Sequence, residues 1–215
     1  MYEFARGPLV WIAFAVLIFG SVYRLVSTIL LAKKEKVILP YMTWKHSLRS
    51  IIHWIIPFGT HNWRIRPSFT VLTFLFHICL LVTPIFTLGH VLLWKESWSV
   101  SWWSLPSGMS TLMTIIVVLG GVIFFLRRLA DPTVRYVSSW SDFVLVLIVI
   151  APFLTGFMAH QQIGDYKTIM TIHMFSGALW LAIIPFTRIV HMLFFPLTRA
   201  YMGGEFGFVR GARDW

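Results

Sequence analysis

The chain has 215 residues, of which 58% are hydrophobic and only 12% charged, with a mean hydropathy of +0.78. A soluble domain of this length needs far more charge to cover its surface, so the composition argues against a water-soluble fold and for one embedded in lipid. The net charge of +10 does not indicate nucleic acid, because the basic residues form no single patch and alternate with apolar runs.

An apolar stretch of about 20 residues spans the roughly 30 Å hydrocarbon core of a bilayer, and five such stretches follow one another. The first covers residues 8–31 and ends in Lys33, Lys34, Glu35 and Lys36. It begins almost at the N-terminus and has no small-residue cleavage site, so it is expected to be a retained span rather than a signal peptide. From Trp44 to Ile55 the apolar residues Trp44, Leu48, Ile51, Ile52 and Ile55 recur at helical spacing, with Lys45, Arg49 and His53 on another face. That pattern predicts an amphipathic helix lying on the membrane surface, or one offering its basic face to a partner subunit. Pro57 and Gly59 end it, and Pro67 leads into the second span, residues 69–94. The third, fourth and fifth spans cover residues 111–126, 143–159 and 168–196, and Trp clusters mark several ends as interfacial belts. The expected architecture is therefore all-α: one membrane domain over residues 1–215, with five transmembrane helices and a cytoplasmic interfacial helix. There is no internal repeat and no low-complexity tract.

The basic residues orient these spans. Between spans one and two lie Lys33, Lys34, Lys36, Lys45, Arg49, Arg64 and Arg66, against Glu35 alone. Arg127, Arg128 and Arg135 follow span three, and Arg199, Arg210 and Arg213 follow span five. The other side has only Arg6, Lys95 and Lys167, each near an acidic residue. The positive-inside rule then puts the N-terminus outside and the C-terminus in the cytoplasm.

Ionisable residues at bilayer depth are expensive and mark function. His173 and His191 lie 18 positions apart in span five. On one unbroken helix that is five whole turns, so both would point from the same face, about 27 Å apart along the axis. Gly177, one turn after His173, removes a side chain where a flat macrocycle could approach. Span two supplies His77 and His90. Matched depths pair His77 with His191 on the cytoplasmic side, and His90 with His173 on the outer side. Thirteen residues of ideal helix rotate by about 220°, so His77 and His90 would face different sides unless Pro84 or Gly89 rephases the helix. His160, at the outer end of span four, competes with His90. Facing histidines at two depths suit axial ligation of two haems. Cys79 is the lone cysteine, so no covalent haem-attachment motif exists and any haem would be b-type.

Four stretches resemble the gamma-subunit family of respiratory nitrate reductases, a five-span dihaem cytochrome b. They are Phe76-His77-Ile78 with Gly89-His90; Arg127-Arg128-Leu129 through Asp131-Pro132 to Val134-Arg135; Ile172-His173 with Gly177; and Arg188-Ile189-Val190-His191. The resemblance covers roughly residues 69–195. It implies two haem b groups, the cytoplasm-proximal one held by His77 and His191 and the distal one by His90 and His173. This chain departs in its wider His77 to His90 separation, with Pro84 inserted. The elaborated first cytoplasmic segment, with His46, His53 and His61, and the Trp-rich outer loop are more similar to the nitrate-reductase-gamma-like subunits of sulfate reducers' Hmc- and Tmc-type redox complexes. That similarity implies partners: a periplasmic multihaem cytochrome c, a cytoplasmic iron–sulfur protein and other membrane subunits.

Arg188, one turn before His191, and Arg24, near the inner end of span one, are candidates for haem propionates, with snorkelling to headgroups as the alternative. His46, His53 and His61 read as surface or docking residues, and Asp131 and Asp142 as loop and capping residues. Three functions are compatible with these residues. The first is an electron conduit within a larger oxidoreductase, with no active site of its own. The second is a menaquinol-oxidising cytochrome b with a quinone site, for which His160 and Lys95 are candidates. The third is a haem-free membrane anchor.

Overall fold

The computed structural model describes residues 1–35 and 39–215, and Lys36 lies outside the described residues. The elements are α1 (Tyr2–Lys34), α2 (Trp44–Ile55), α3 (His61–Ile65), α4 (Pro67–Phe86), α5 (Leu88–Trp98), α6 (Ser107–Ala130), α7 (Pro132–Tyr136), α8 (Trp140–His160), α9 (Tyr166–Ile183) and α10 (His191–Gly203). A 3-10 turn, Ile184–Phe186, extends α9, and no strand occurs among the described residues. Five helices are long and apolar enough to cross a membrane: α1, α4, α6, α8, and α9 with its extension. Only 11% to 22% of each of their most apolar windows is buried. Most of the apolar surface therefore faces outward, the inverse of a soluble protein. The chain is a multi-pass membrane protein.

Two of the expected spans are not continuous helices. Span two breaks at Thr87, whose ψ of 132° is extended, so residues 69–94 fall on two helices, α4 and α5. Span five, expected to run unbroken over residues 168–196, ends its α-helix at Ile183. Pro185 cannot donate to the helical ladder, and Thr187 is fully extended (φ −123°, ψ −177°). A second 3-10 turn, Arg188–Val190, then starts α10 at His191. The five-turn count that put His173 and His191 on one face about 27 Å apart required continuous α geometry. That inference is withdrawn.

The chain divides into two units. The first comprises Met1–Val10 and Leu72–Trp180. Its core is Phe76, Cys79, Val117 and Phe153, with Trp180 packed edge-on to Phe153 at 5.7 Å and Phe76 edge-on to Phe124 at 4.9 Å. The Arg127-Arg128-Leu129 stretch is the last turn of α6 and is tied locally. Arg127 pairs with Asp131 at 3.6 Å, Arg128 donates to Ser138 Oγ at 3.0 Å, and Asp131 caps α7 by accepting from Thr133 N at 3.0 Å. Asp142 accepts from the Ser139 backbone N–H at 2.8 Å to close the start of α8. Both aspartates thus act as the sequence suggested.

The second unit comprises Trp11–Val71 and Leu181–Trp215. Here α2 has the bounds expected from its periodicity, and it packs on α10 through its small residues. Ser47 Oγ donates to the Ala200 carbonyl at 3.1 Å, and Gly203 lies where any Cβ would collide with the His46 carbonyl. Arg49 and His53 on the basic face are covered by C-terminal residues, while Lys45 stays exposed. Trp215 stacks on His53 at 4.4 Å and lies under the Arg49 guanidinium at 4.4 Å, while Ser50 donates to Asp214. The apolar residues Trp44, Leu48, Ile52 and Ile55 remain exposed.

Candidate functional site

The break at Thr87 creates the first half of the site. A helix end orphans its last carbonyls, and here each regains a donor. His90 Nδ1 donates to the Pro84 carbonyl at 2.7 Å, Trp102 Nε1 to Ile85 at 2.9 Å, and Leu105 N to Phe86 at 2.8 Å. Thr87 Oγ1 fixes the corner through the Thr83 carbonyl at 2.8 Å and Ser110 Oγ at 2.7 Å. His90 sits in the first turn of α5, so the 220° phase error of a continuous helix does not arise.

The second half comes from α8 and α9. His173 Nδ1 donates to the Pro152 carbonyl at 2.8 Å. Gly156, one turn beyond Pro152, gives the ring its room. A Cβ there would lie 3.0 Å from His173 Cε1 and 3.1 Å from Nδ1. At Gly89 and Gly177 an added Cβ would meet nothing within 4 Å.

These two supports bring the rings of His90 and His173 close together and parallel. Their ring centres are 5.9 Å apart and their planes differ by 5°. A carbonyl only accepts, so the proton of each ring is on Nδ1 and the lone pair on Nε2. Metal–imidazole bonds of about 2 Å, plus about 1 Å from each nitrogen to its ring centre, put two rings sharing one metal about 6 Å apart. A shared metal also needs the two Nε2 lone pairs, which lie in the ring planes, to converge on it. The pair's separation is compatible with this, and both rings have the carbonyl-anchored tautomer that metal-ligating histidines adopt. Among the described residues no group of three or more His, Cys, Asp or Glu could hold a bare ion. The porphyrin of a haem supplies four ligands itself, so two histidines complete its coordination.

The other histidines are described in their own units. His77 Nδ1 donates to the Thr73 carbonyl at 2.7 Å, with its ring edge-on to Phe76 at 5.3 Å. His191 Nδ1 donates to the Arg188 carbonyl at 2.9 Å. Both therefore have the same tautomer as the His90–His173 pair. His160 directs Nε2 to Ser107 Oγ at 3.0 Å. His46 meets Thr43 Oγ1 at 2.7 Å, and His53 donates to the Arg49 carbonyl at 2.8 Å beneath Trp215.

Within the second unit, His191 borders a cavity of about 450 Å³ lined by Trp54, Arg188, Phe194, Phe195 and Arg199 among others. The Arg199 guanidinium stacks on Trp54 at 4.2 Å, and Arg24 lies 5.9 Å over the Phe194 ring. Burial lowers the Arg199 pKa while the Asp214 charge raises it, and a guanidinium stays cationic at any working pH.

No protein-family model matches the chain, and no solved structure matches it significantly. A protein of Nitratidesulfovibrio vulgaris (strain Hildenborough) is 34% identical over 216 residues, an alignment covering 98% of this chain and 96% of that one. The chain belongs to that protein's family. The relative's name, "Protein", states no activity. The family likeness runs nearly end to end, so it takes in both units and every histidine described above.

Sequence reasoning singled out His90 and His173 but missed what holds them. Pro152 and Gly156 lie one turn apart in span four, a proline beside an absent side chain on one helix face. That is the signal for a carbonyl and a notch offered to a neighbour. Arg199 and Trp54 were also missed, because their juxtaposition depends on how α10 packs on α2.

Proposed function

We propose that the chain is a dihaem b subunit of a multisubunit redox complex in the bacterial cytoplasmic membrane. It carries electrons between a periplasmic multihaem cytochrome c and a cytoplasmic iron–sulfur subunit. The observation that carries the reading is the His90–His173 pair, parallel to 5° at 5.9 Å, with both Nδ1 protons committed to main-chain carbonyls. The resemblance assigns the second haem to His77 and His191, with Arg188 toward its propionates. Bound haem supplies one-electron chemistry, with a potential set by axial ligand, hydrogen bonding and burial. The chain's own share is to hold and orient the imidazoles.

The distribution of Lys and Arg supports a periplasmic N-terminus and a cytoplasmic C-terminus. The exposed apolar residues Trp44, Leu48, Ile52 and Ile55 support α2 lying in the interface plane of the bilayer. The partners rest on the resemblance alone. A pyridine haemochrome assay on the purified chain tests the central claim. Two haem b per chain are expected, and a preparation that binds none would sink the proposal.

A further inference from the structure

The cavity beside His191 has two chemically distinct walls. Phe194, Phe195 and the Trp54 indole form an apolar, aromatic one, and the guanidiniums of Arg188 and Arg199 form a cationic one. A ligand that fits both is a flat apolar body with an anionic edge. Arg199 comes to this wall from α10, two turns after His191 on the same helix. Eight residues of α-helix turn through about 800°, which sets Arg199 about 80° round from His191 and about 12 Å further along the axis. Arg199 is held there by its stack on Trp54 at 4.2 Å, which fixes the guanidinium plane and leaves its N–H edges for an acceptor.

We infer that Arg199 binds a propionate of the haem held at His191 and, through its charge, raises that haem's reduction potential. The inference rests on the dihaem reading. It adds a residue that neither the histidine spacing nor the resemblance indicated. Arg188 and Arg199 then form a two-point clamp on the carboxylate edge, while the aromatic wall receives the macrocycle face. Reduction adds one negative charge to the haem, so a fixed cation favours the reduced form. Removing it lowers the potential. One unit charge at this range in a partly buried site is worth about a tenfold change in the ratio of reduced to oxidised haem, which for one electron is about 59 mV.

The test is a redox titration of the intact membrane-bound chain, followed optically at the haem bands, for wild type, Arg199→Gln and Arg199→Lys. Arg199→Gln should lower one of the two midpoint potentials by about 59 mV and leave the other in place. Arg199→Lys, which keeps the charge, should recover most of the shift. If Arg199→Gln instead loses one haem while Arg199→Lys keeps both, the clamp is also supported. Two unchanged potentials with full haem content in Arg199→Gln would overturn the inference and leave the dihaem reading intact, with Arg199 assigned to lipid phosphate. Loss or shift of both haems alike, in both variants, would also overturn it, since that reports a damaged fold rather than a local charge. A wild-type chain with no haem would refute the dihaem reading itself.

Discussion

Replacing Gly156 with alanine tests the proposed His90–His173 haem site through one methyl group. The new Cβ would lie 3.0 Å from His173 Cε1 and 3.1 Å from Nδ1, whereas carbon atoms in good contact sit about 3.5–4.0 Å apart. The ring must therefore retreat by roughly 0.5 Å or turn, and the bond to the Pro152 carbonyl, now 2.8 Å, lengthens past the usual limit of about 3.2 Å. Overpacking of this size costs about 1–3 kcal/mol. The better helix propensity of alanine, about 1 kcal/mol, offsets part of that. The fold should survive with a small net loss. The ligand is affected more, because losing the partner that orients a metal-ligating histidine typically lowers affinity about 10- to 100-fold. Haem content measured by pyridine haemochrome should fall from two per chain toward one, with an altered low-spin electron paramagnetic resonance signal from what remains at that site. Gly108→Ala in α6 is the matched control, since its Cβ would also meet nothing within 4 Å. If Gly156→Ala kept two haems with unchanged spectra, the notch at Gly156 would not position His173 and the account of that site would fail.

Further expectations follow from the same contacts. His90→Ala and His173→Ala should each remove one haem and spare the other, and identical haem content in either variant would contradict their pairing. His160→Ala should retain both haems, because its Nε2 is engaged by Ser107, and loss of one would reinstate His160 as a ligand. If the chain is a conduit without a quinone site, a menaquinol analogue should not reduce its haems without the cytochrome partner; reduction would favour the quinol-oxidising alternative. The Asp131 carboxyl is held below the ordinary carboxylate range, first by the Thr133 hydroxyl and then by backbone N–H groups and Arg127. A depressed folded pKa means that its contribution to the α7 cap is present above the unfolded value of about 3.9 and is lost as pH falls through the folded value. Carbon NMR of that carboxyl should show a titration midpoint below 3.9, and a midpoint at or above it would contradict the cap.

The spans were legible because lipid imposes a simple rule on composition, and each of the five predicted apolar runs contains a helix long enough to cross. Helix α2 was legible to the residue, since its apolar stripe and the Pro57–Gly59 stop leave little freedom. The break at Thr87 was legible only as a rephasing of span two at Pro84 or Gly89, and the one at Thr187, two residues after Pro185, was not anticipated. Neither threonine is a strong breaker, and Pro84 lies inside α4 without ending it. Helix α4 ends only two residues later, where Trp102, Leu105 and His90 supply donors from elsewhere in the chain. A helix end that depends on distant donors leaves no local mark. The histidine pairing on the outer side was reached by counting charge and depth, and that count is indifferent to helix breaks. The one-face argument for His173 and His191 was sensitive to them, and it failed for that reason.

The four histidines singled out from sequence share one arrangement that sequence does not display. Each gives its Nδ1 proton to a main-chain carbonyl: His77 to Thr73, His90 to Pro84, His173 to Pro152 and His191 to Arg188. In many metal sites a carboxylate orients the imidazole and adds negative charge. At bilayer depth a buried carboxylate would cost several kcal/mol unless paired, and the main chain offers a neutral acceptor instead. Only acceptors with spare capacity or a missing helical donor can serve. Pro84 and Arg188 flank the two helix breaks, and Pro152 lies beside the notch at Gly156. Breaks and notch are therefore the orienting shell of the site, built from backbone. On the proposed dihaem reading, a neutral shell would leave the ligating imidazoles less basic than a carboxylate would, which favours the reduced state. On that reading, Arg188 and Arg199 are fixed charges placed to tune the haem at His191. On this reasoning the His191 haem, with Arg188 and Arg199 beside it, should be the higher-potential of the two. The reverse order in the wild-type titration would show that something other than these guanidiniums sets the difference.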